Sequence, residues 1–294
     1  MRPMKKLTKT LLICLLSAYA LPSFAQATDD EIYIYQLTER KSKISIAKGE
    51  NITNRKGYDN QPHFYKKGAL LYTSQLGGQT DIMLYDLKKG TTSNLTASEV
   101  SEYSATMVPG LDAFSVIRQD LEGNQLLYMY DINQNKAPEL LLDGIFPVGY
   151  HAWSGNDVAM FILGQPVKMV LTNYKERNDR TITTNIGRTL KTIPNSDKIA
   201  FERSEEDKSV VIYALTPSTD KFEKIIQKPA NSSDWAITKN GTYITSVGSK
   251  LLKYNAQYDT DWVELIDLGE TAARGMTRMA VSPDNKRIAI VTSR

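Results

Sequence analysis

Short apolar runs of four to eight residues alternate along this chain with clusters of Gly, Pro, Asn, Asp and Ser, and no stretch holds a convincing helical period. Runs rich in β-branched and aromatic residues between turn-formers predict strands. Residues 69–74 make one such strand, and residues 81–87 and 126–131 make two more that carry tyrosine near their ends. The order recurs: an apolar strand, a polar turn, a second strand, a looser loop, then a tyrosine-bearing third strand. Aligning the turns places anchors at Phe64, Met107, Trp153, Ile193, Ile237 and Val281, with steps of 43, 46, 40, 44 and 44 residues.

Four-stranded units repeating at this period predict a β-propeller, an all-β fold in which each blade is one antiparallel sheet. If a leader of 27 residues is set aside, the remaining 267 divide into six blades of about 44 residues. The last unit stops after two strands, near residues 279–281 and 287–292. The region after the leader opens with what reads as a third strand (31–37) and a fourth (42–47). One blade is therefore expected to be shared between the two termini, which would pair two strand edges otherwise left open. Residues 28–294 are expected to form a single six-bladed propeller domain, acting as a monomer.

The leader changes how the charge is read. Arg2, Lys5, Lys6 and Lys9 precede an apolar run over residues 11–21, followed by Pro22, Ser23 and Ala25-Gln26-Ala27. That order is the one a secretory signal peptide follows, and the run is too short for a membrane anchor. Cleavage after Ala27 would send the chain to the bacterial periplasm, or to secretion, and remove Cys14, the one cysteine. The whole chain has 36 Lys and Arg against 33 Asp and Glu, but residues 28–294 alone carry a net charge of −1. A near-neutral surface gives no electrostatic case for nucleic acid. Without cysteine the processed chain has no thiol chemistry, and Ser154 lacks the leading glycine of a nucleophile elbow.

The segment Asn60-Gln61-Pro62-His63-Phe64, its following turn and Ile82-Met83-Leu84-Tyr85-Asp86 resemble the repeat of the TolB-like propellers. So does the run from Met279 to Ala289 around Val281-Ser282-Pro283-Asp284-Asn285. The resemblance implies a six-bladed fold, and propellers of this class serve as scaffolds, enzymes and receptors alike. The family's founding member works with the Tol–Pal envelope machinery and carries an α/β domain ahead of its propeller. No such domain is expected between this leader and the first strand.

In a propeller the first strand of each blade lines a central channel, and the loops leading into it form the usual binding face. Applied to the repeat, this places Asp59, Asn60, His63, Glu102, Tyr103, Tyr150, His151, Arg188, Asp234, Arg274 and Arg278 around one rim, with Trp153 nearby. Arg274 and Arg278 would grip carboxylates through their planar forks, while Tyr103, Tyr150 and Trp153 would stack. The two histidines sit two blades apart with no third ligand at the same phase, so structural roles are expected for them rather than zinc. The reading is a non-enzymatic module, without cofactor or metal, that takes an envelope protein or peptide tail at the channel mouth. The alternatives are a calcium-dependent hydrolase or lactonase, with Asp59, Asn60, Glu102 and Asp234 converging on one ion, and a sensor of a sugar or peptidoglycan fragment.

Overall fold

The computed structural model describes residues 29–294 except Lys67, so the expected leader at residues 1–27 lies outside the described residues. Among the described residues, 24 strands form six four-stranded antiparallel sheets, the six blades the repeat predicts. The chain opens with β1 (Asp30–Arg40) and β2 (Lys43–Asn51), the two outer strands of blade one. Blade two follows as β3 (Asp59–Tyr65), β4 (Ala69–Leu76), β5 (Gln79–Asp86) and β6 (Thr91–Asn94). Blade three holds β7 (Glu102–Met107), β8 (Ala113–Gln119), β9 (Gln125–Asp131) and the two-residue β10 (Glu139–Leu140). Blade four holds β11 (Val148–Ser154), β12 (Asp157–Ile162), β13 (Lys168–Asn173) and β14 (Arg180–Thr184). Blade five holds β15 (Ile186–Thr192), β16 (Ile199–Ser204), β17 (Val210–Thr216) and β18 (Lys221–Gln227). Blade six holds β19 (Trp235–Ile237), β20 (Tyr243–Val247), β21 (Lys250–Tyr254) and β22 (Val263–Asp267). After a short 3-10 turn, β23 (Met276–Val281) and β24 (Arg287–Ser293) complete blade one from the inside.

Six strands, β23, β3, β7, β11, β15 and β19, are the innermost of their blades and neighbour one another in that order around the axis. The turn leaving each innermost strand needs one residue in the left-handed region: Lys66, Gly110, Gly155, Asn195, Gly241 and Asn285. Gly and Asn reach that conformation at least cost, which is why these turns were visible in the sequence as clusters of those residues.

The core lies between blades. Trp153, Trp235, Phe114 and Phe201 are fully buried, each in a cluster of apolar side chains. The indole N–H of Trp235 donates to Glu202 Oε2 at 3.0 Å, and the same oxygen takes the Lys228 ammonium at 2.6 Å. Gly187 is required there, because a Cβ would overlap the Glu202 carboxylate.

Closure depends on β1, which pairs with β24 along seven residues, from Asp30 opposite Ser293 to Gln36 opposite Arg287. Its alternate side chains face two neighbours. Ile32 packs with Val291, Ala289, Phe64 and Leu70 toward blade two, while Tyr35 and Leu37 join Ile244 and Leu251 toward blade six. Glu39 adds polar ties, accepting from Thr242 Oγ1 at 2.5 Å and Asn285 Nδ2 at 2.6 Å. Ile32 is fully buried, and Ile32→Ala should lower unfolding free energy by about 3 kcal/mol. A urea titration would show this as an earlier midpoint at unchanged slope. Exposed Lys43 on β2 is the control, since its alanine variant should stay within about 0.5 kcal/mol.

Candidate functional site

The six innermost strands enclose a cavity of about 460 Å³ on the axis, lined from the middle of each strand to the turn that follows it. Pro109, Pro194, Lys239 and Pro283 line it at the turn end, and Asp234, just ahead of β19, lines it at the other. Several contacts join non-neighbouring strands across the channel, among them those of Arg188 and Lys191 on β15 with carbonyls on β23. Arg278 on β23 sends Nη2 to the Tyr150 hydroxyl at 2.9 Å, on β11 of the opposite blade, with its guanidinium 5.3 Å from the ring centre. The cavity thus runs along the axis from Asp234 and Arg278 to the turn prolines.

Its walls are apolar with a surplus of positive charge. Arg188, Lys191, Lys239 and Arg278 line it, against the single acid Asp234. Backbone carbonyls and a phenol hold two of these cations in place of carboxylates. Arg188 Nη2 donates to Thr277 O at 3.2 Å, and Arg278 Nη1 donates to the same carbonyl at 3.0 Å. Lys191 donates to Met279 O at 3.2 Å and lies 3.9 Å from Asp234 Oδ2. Asp234 itself is buried and bonded on both oxygens, to the Thr189 hydroxyl at 2.7 Å and the Met279 amide at 2.9 Å. Burial opposes its charge, yet Lys191, Arg278 and those two bonds outweigh it and hold the carboxyl below its ordinary range.

Both histidines reach the cavity with one nitrogen engaged. His63 Nε2 accepts the Met107 amide at 3.1 Å, so its proton sits on Nδ1. His151 Nε2 lies 2.6 Å from the Ser115 hydroxyl, which also receives the Trp153 indole N–H at 2.8 Å and sits 3.2 Å from Thr106 O. The hydroxyl's one proton goes to the Thr106 carbonyl, which can only accept, so His151 donates to Ser115 from Nε2 and its Nδ1 is unprotonated. Burial, with Lys191 nearby, pushes the His63 imidazole down to about 4, and burial, with His63 nearby, pushes His151 down to about 3.

The remaining residues expected on one rim divide between wall and interior. Asp59 is fully buried, with Oδ1 2.7 Å from the Arg55 guanidinium, and Asn60 donates to Asp30 at 2.7 Å within the junction of blades one and two. Glu102 is fully buried too. Oε1 accepts from the Ser98 hydroxyl at 2.5 Å and the Tyr130 hydroxyl at 2.9 Å, and burial pushes its carboxyl up. Tyr103 packs half-buried between blades three and four, and Trp153 is enclosed there, unavailable for stacking on a ligand. Arg274 is exposed in the loop ahead of β23, outside the cavity lining. Asp59, Glu102 and Asp234 each serve separate partners, and no group of three or more His, Cys, Asp or Glu among the described residues is placed to hold a metal.

His63, Tyr150, His151, Trp153, Arg188, Asp234 and Arg278 do line one cavity. Sequence reasoning missed Lys191, Gln61 and Ser104. Gln61 Oε1 accepts the Ser104 amide at 2.8 Å across the junction of blades two and three. A usable signal existed: each is a polar residue inside an innermost strand, where apolar side chains would be expected. The bulge between Ile186 and Leu190 hid Lys191 by breaking the alternation that assigns faces.

No known protein family matches the chain, and no curated protein matches it. Solved structures do. A TolB-like protein of Agrobacterium tumefaciens is 12% identical, with a TM-score of 0.68 over 91% of this chain and 99% of that one. An oligogalacturonate lyase in complex with manganese is 14% identical, with a TM-score of 0.58 over 88% and 82%. TolB from Acinetobacter baumannii is 12% identical, with a TM-score of 0.57 over 89% of this chain and 64% of that one. The chain thus shares the six-bladed β-propeller fold of these structures. Identities this low define the fold and leave function to the site.

The histidines predict a pH dependence. Unfolding lets both protonate near their ordinary 6.5, whereas the folded chain resists until about 4 and about 3. The unfolded state therefore binds more protons across that window. Their stabilising effect is complete above pH 6.5 and is lost as pH falls toward those lower values. Each histidine should contribute a slope of up to about 1.4 kcal/mol per pH unit. Urea midpoints between pH 7 and pH 5 should fall accordingly, and His63→Gln should flatten the slope. Glu102, raised by burial, acts with the opposite sign, so an unchanged slope in that variant would show that His63 is not the source.

Proposed function

We propose that this propeller is a non-enzymatic binding module that takes an acidic peptide or protein tail into its channel. The observation that carries the reading is the charge of the pit: four cations against one acid that is already fully bonded. Arg278 and Arg188 have free donor positions and no ion pair among the described residues. Guanidinium forks held by neutral oxygens are poised for carboxylates. The apolar remainder of the wall suits a peptide's side chains, and the volume falls within the ordinary range for a ligand site. TolB and its relatives offer a precedent for the fold in envelope proteins, and the expected leader supports placement in the periplasm. A mature chain beginning at residue 28 in the periplasmic fraction is the expected result; an unprocessed chain retained in the cytosol would overturn that placement.

The binding itself is tested by anisotropy with a fluorescein-labelled pool of Asp- and Glu-rich hexapeptides. Arg278→Ala should weaken binding about tenfold to a hundredfold, the worth of a lost charge-assisted hydrogen bond. Arg274→Ala, outside the pit, should leave it unchanged. Binding that responds to Arg274 and ignores Arg278 would move the site out of the cavity, and absence of binding would remove the peptide reading.

A further inference from the structure

The innermost strands repeat one irregularity near their starts. Five of the six carry a bulge there, between Asn60 and His63, Tyr103 and Thr106, Val148 and Tyr150, Ile186 and Leu190, and Met276 and Arg278. A bulge takes a residue out of the ladder and re-aims its neighbours, and such bulges gather beside sites. At Thr277 the effect is direct. Its carbonyl accepts from Arg278 Nη1 at 3.0 Å and from Arg188 Nη2 at 3.2 Å. Two guanidiniums, from strands two places apart in the ring, thus converge on one oxygen, their nitrogens no farther apart than those two bonds allow. Both side chains can be reached: Arg188 is exposed, Arg278 is half-buried, and both line the cavity. Lys191 adds its charge at the same end, where it donates to Met279 O.

The other end is built differently. Pro109, Pro194 and Pro283 sit on the turns of alternate blades and line it with Met107 and Val281, half-buried at the last positions of their strands. Proline has an apolar ring and no N–H, so these turns present apolar surface without a donor. Lys239 is the one cation of the lining at this end. Charge and apolar surface are therefore separated along the axis, and a ligand that satisfies both is divided in the same way. A run of acidic side chains would set carboxylates against the prolines, where their desolvation is uncompensated. A lone carboxylate on an apolar body meets guanidiniums at one end and buries its remainder at the other.

Resting on the binding role argued above, we propose that the cavity takes an amphipathic carboxylate, its head between Arg188 and Arg278 and its apolar body against Pro109, Pro194 and Pro283. Two sources offer that chemistry: a peptide segment with one acidic residue among apolar ones, and a free alkyl carboxylate.

Calorimetric titration of the full processed chain with butanoate, hexanoate and octanoate tests the tail. Each pair of added methylenes should tighten binding about tenfold until the cavity is filled. Octylammonium, with the same tail and the opposite charge, should not bind. Arg188→Ala should weaken all three acids about tenfold and leave the gain per methylene unchanged, whereas a variant that merely loosened the cavity would lose that gain as well. A Leu-rich hexapeptide with a single Glu, capped at both ends, separates the sources. Binding tighter than that of the Asp- and Glu-rich pool assigns head and tail to a peptide, and weaker binding assigns them to a free alkyl acid. Affinity that ignores chain length, beside Arg278-dependent binding of the acid-rich pool, would overturn the amphipathic assignment and leave the acidic-peptide reading standing. Octylammonium binding as well as octanoate would overturn the placement of the head. If no probe binds, both readings fail.

Discussion

The innermost strand of every blade is a sheet edge turned toward a hole, and the ring depends on how those edges are satisfied. A free edge leaves backbone N–H groups without partners, and in a channel this narrow they cannot all be left to bulk water. Side chains from the preceding blade do the work. Gln61 takes the Ser104 amide, His63 takes the Met107 amide, and Asp234 takes the Met279 amide, at separations of 43 to 45 residues. Those separations equal the repeat period, so the stitch belongs to the fold itself. Closure by β1 is the same requirement met at the outer strands, where Asp30 pairs opposite Ser293 and Ile32 opposite Val291.

This duty limits what the channel residues can do for a ligand. Asp234 is charged, buried and central, features that would normally mark a functional acid. Here both of its oxygens are committed to Thr189 and Met279, and its charge is balanced by Lys191 and Arg278. The histidines occupy an intermediate position, with one nitrogen in the stitch or the blade junction and the other turned loose. Arg278 is different in kind, because the Thr277 carbonyl and the Tyr150 hydroxyl hold its orientation without cancelling its charge.

The fold was legible because its signals are local and repeated. Turns that need a left-handed residue show as Gly110, Gly155, Asn195, Gly241 and Asn285, and their spacing counts the blades. Even the shared blade could be read, since strands near residues 31–37 and 279–292 are each half of a unit. The site was legible only in part. His63, Tyr150, His151, Arg188, Asp234 and Arg278 share a sequence phase and line one cavity, but phase cannot tell an exposed position from a buried one. Asp59 and Glu102 share that phase and are fully enclosed by Arg55 and by Ser98 with Tyr130, partners 4 to 28 residues away that no periodicity announces. Nor does phase show which end of a channel is open. Contacts across the channel, such as Arg278 with Tyr150, 128 residues apart, have no signal in the repeat either.

Neutral partners also explain how the charge surplus of the cavity persists. Like charges gathered in a low-dielectric cleft repel, so Arg188, Lys191 and Arg278 together oppose the closed ring. Neutral oxygens temper that repulsion by orienting dipoles toward the cations, which costs less than burying three more carboxylates would. The field that remains is that of four cations against one acid around a single cavity. An anion entering there relieves repulsion that the empty pit retains, so part of its affinity comes from the protein's own stored electrostatic energy.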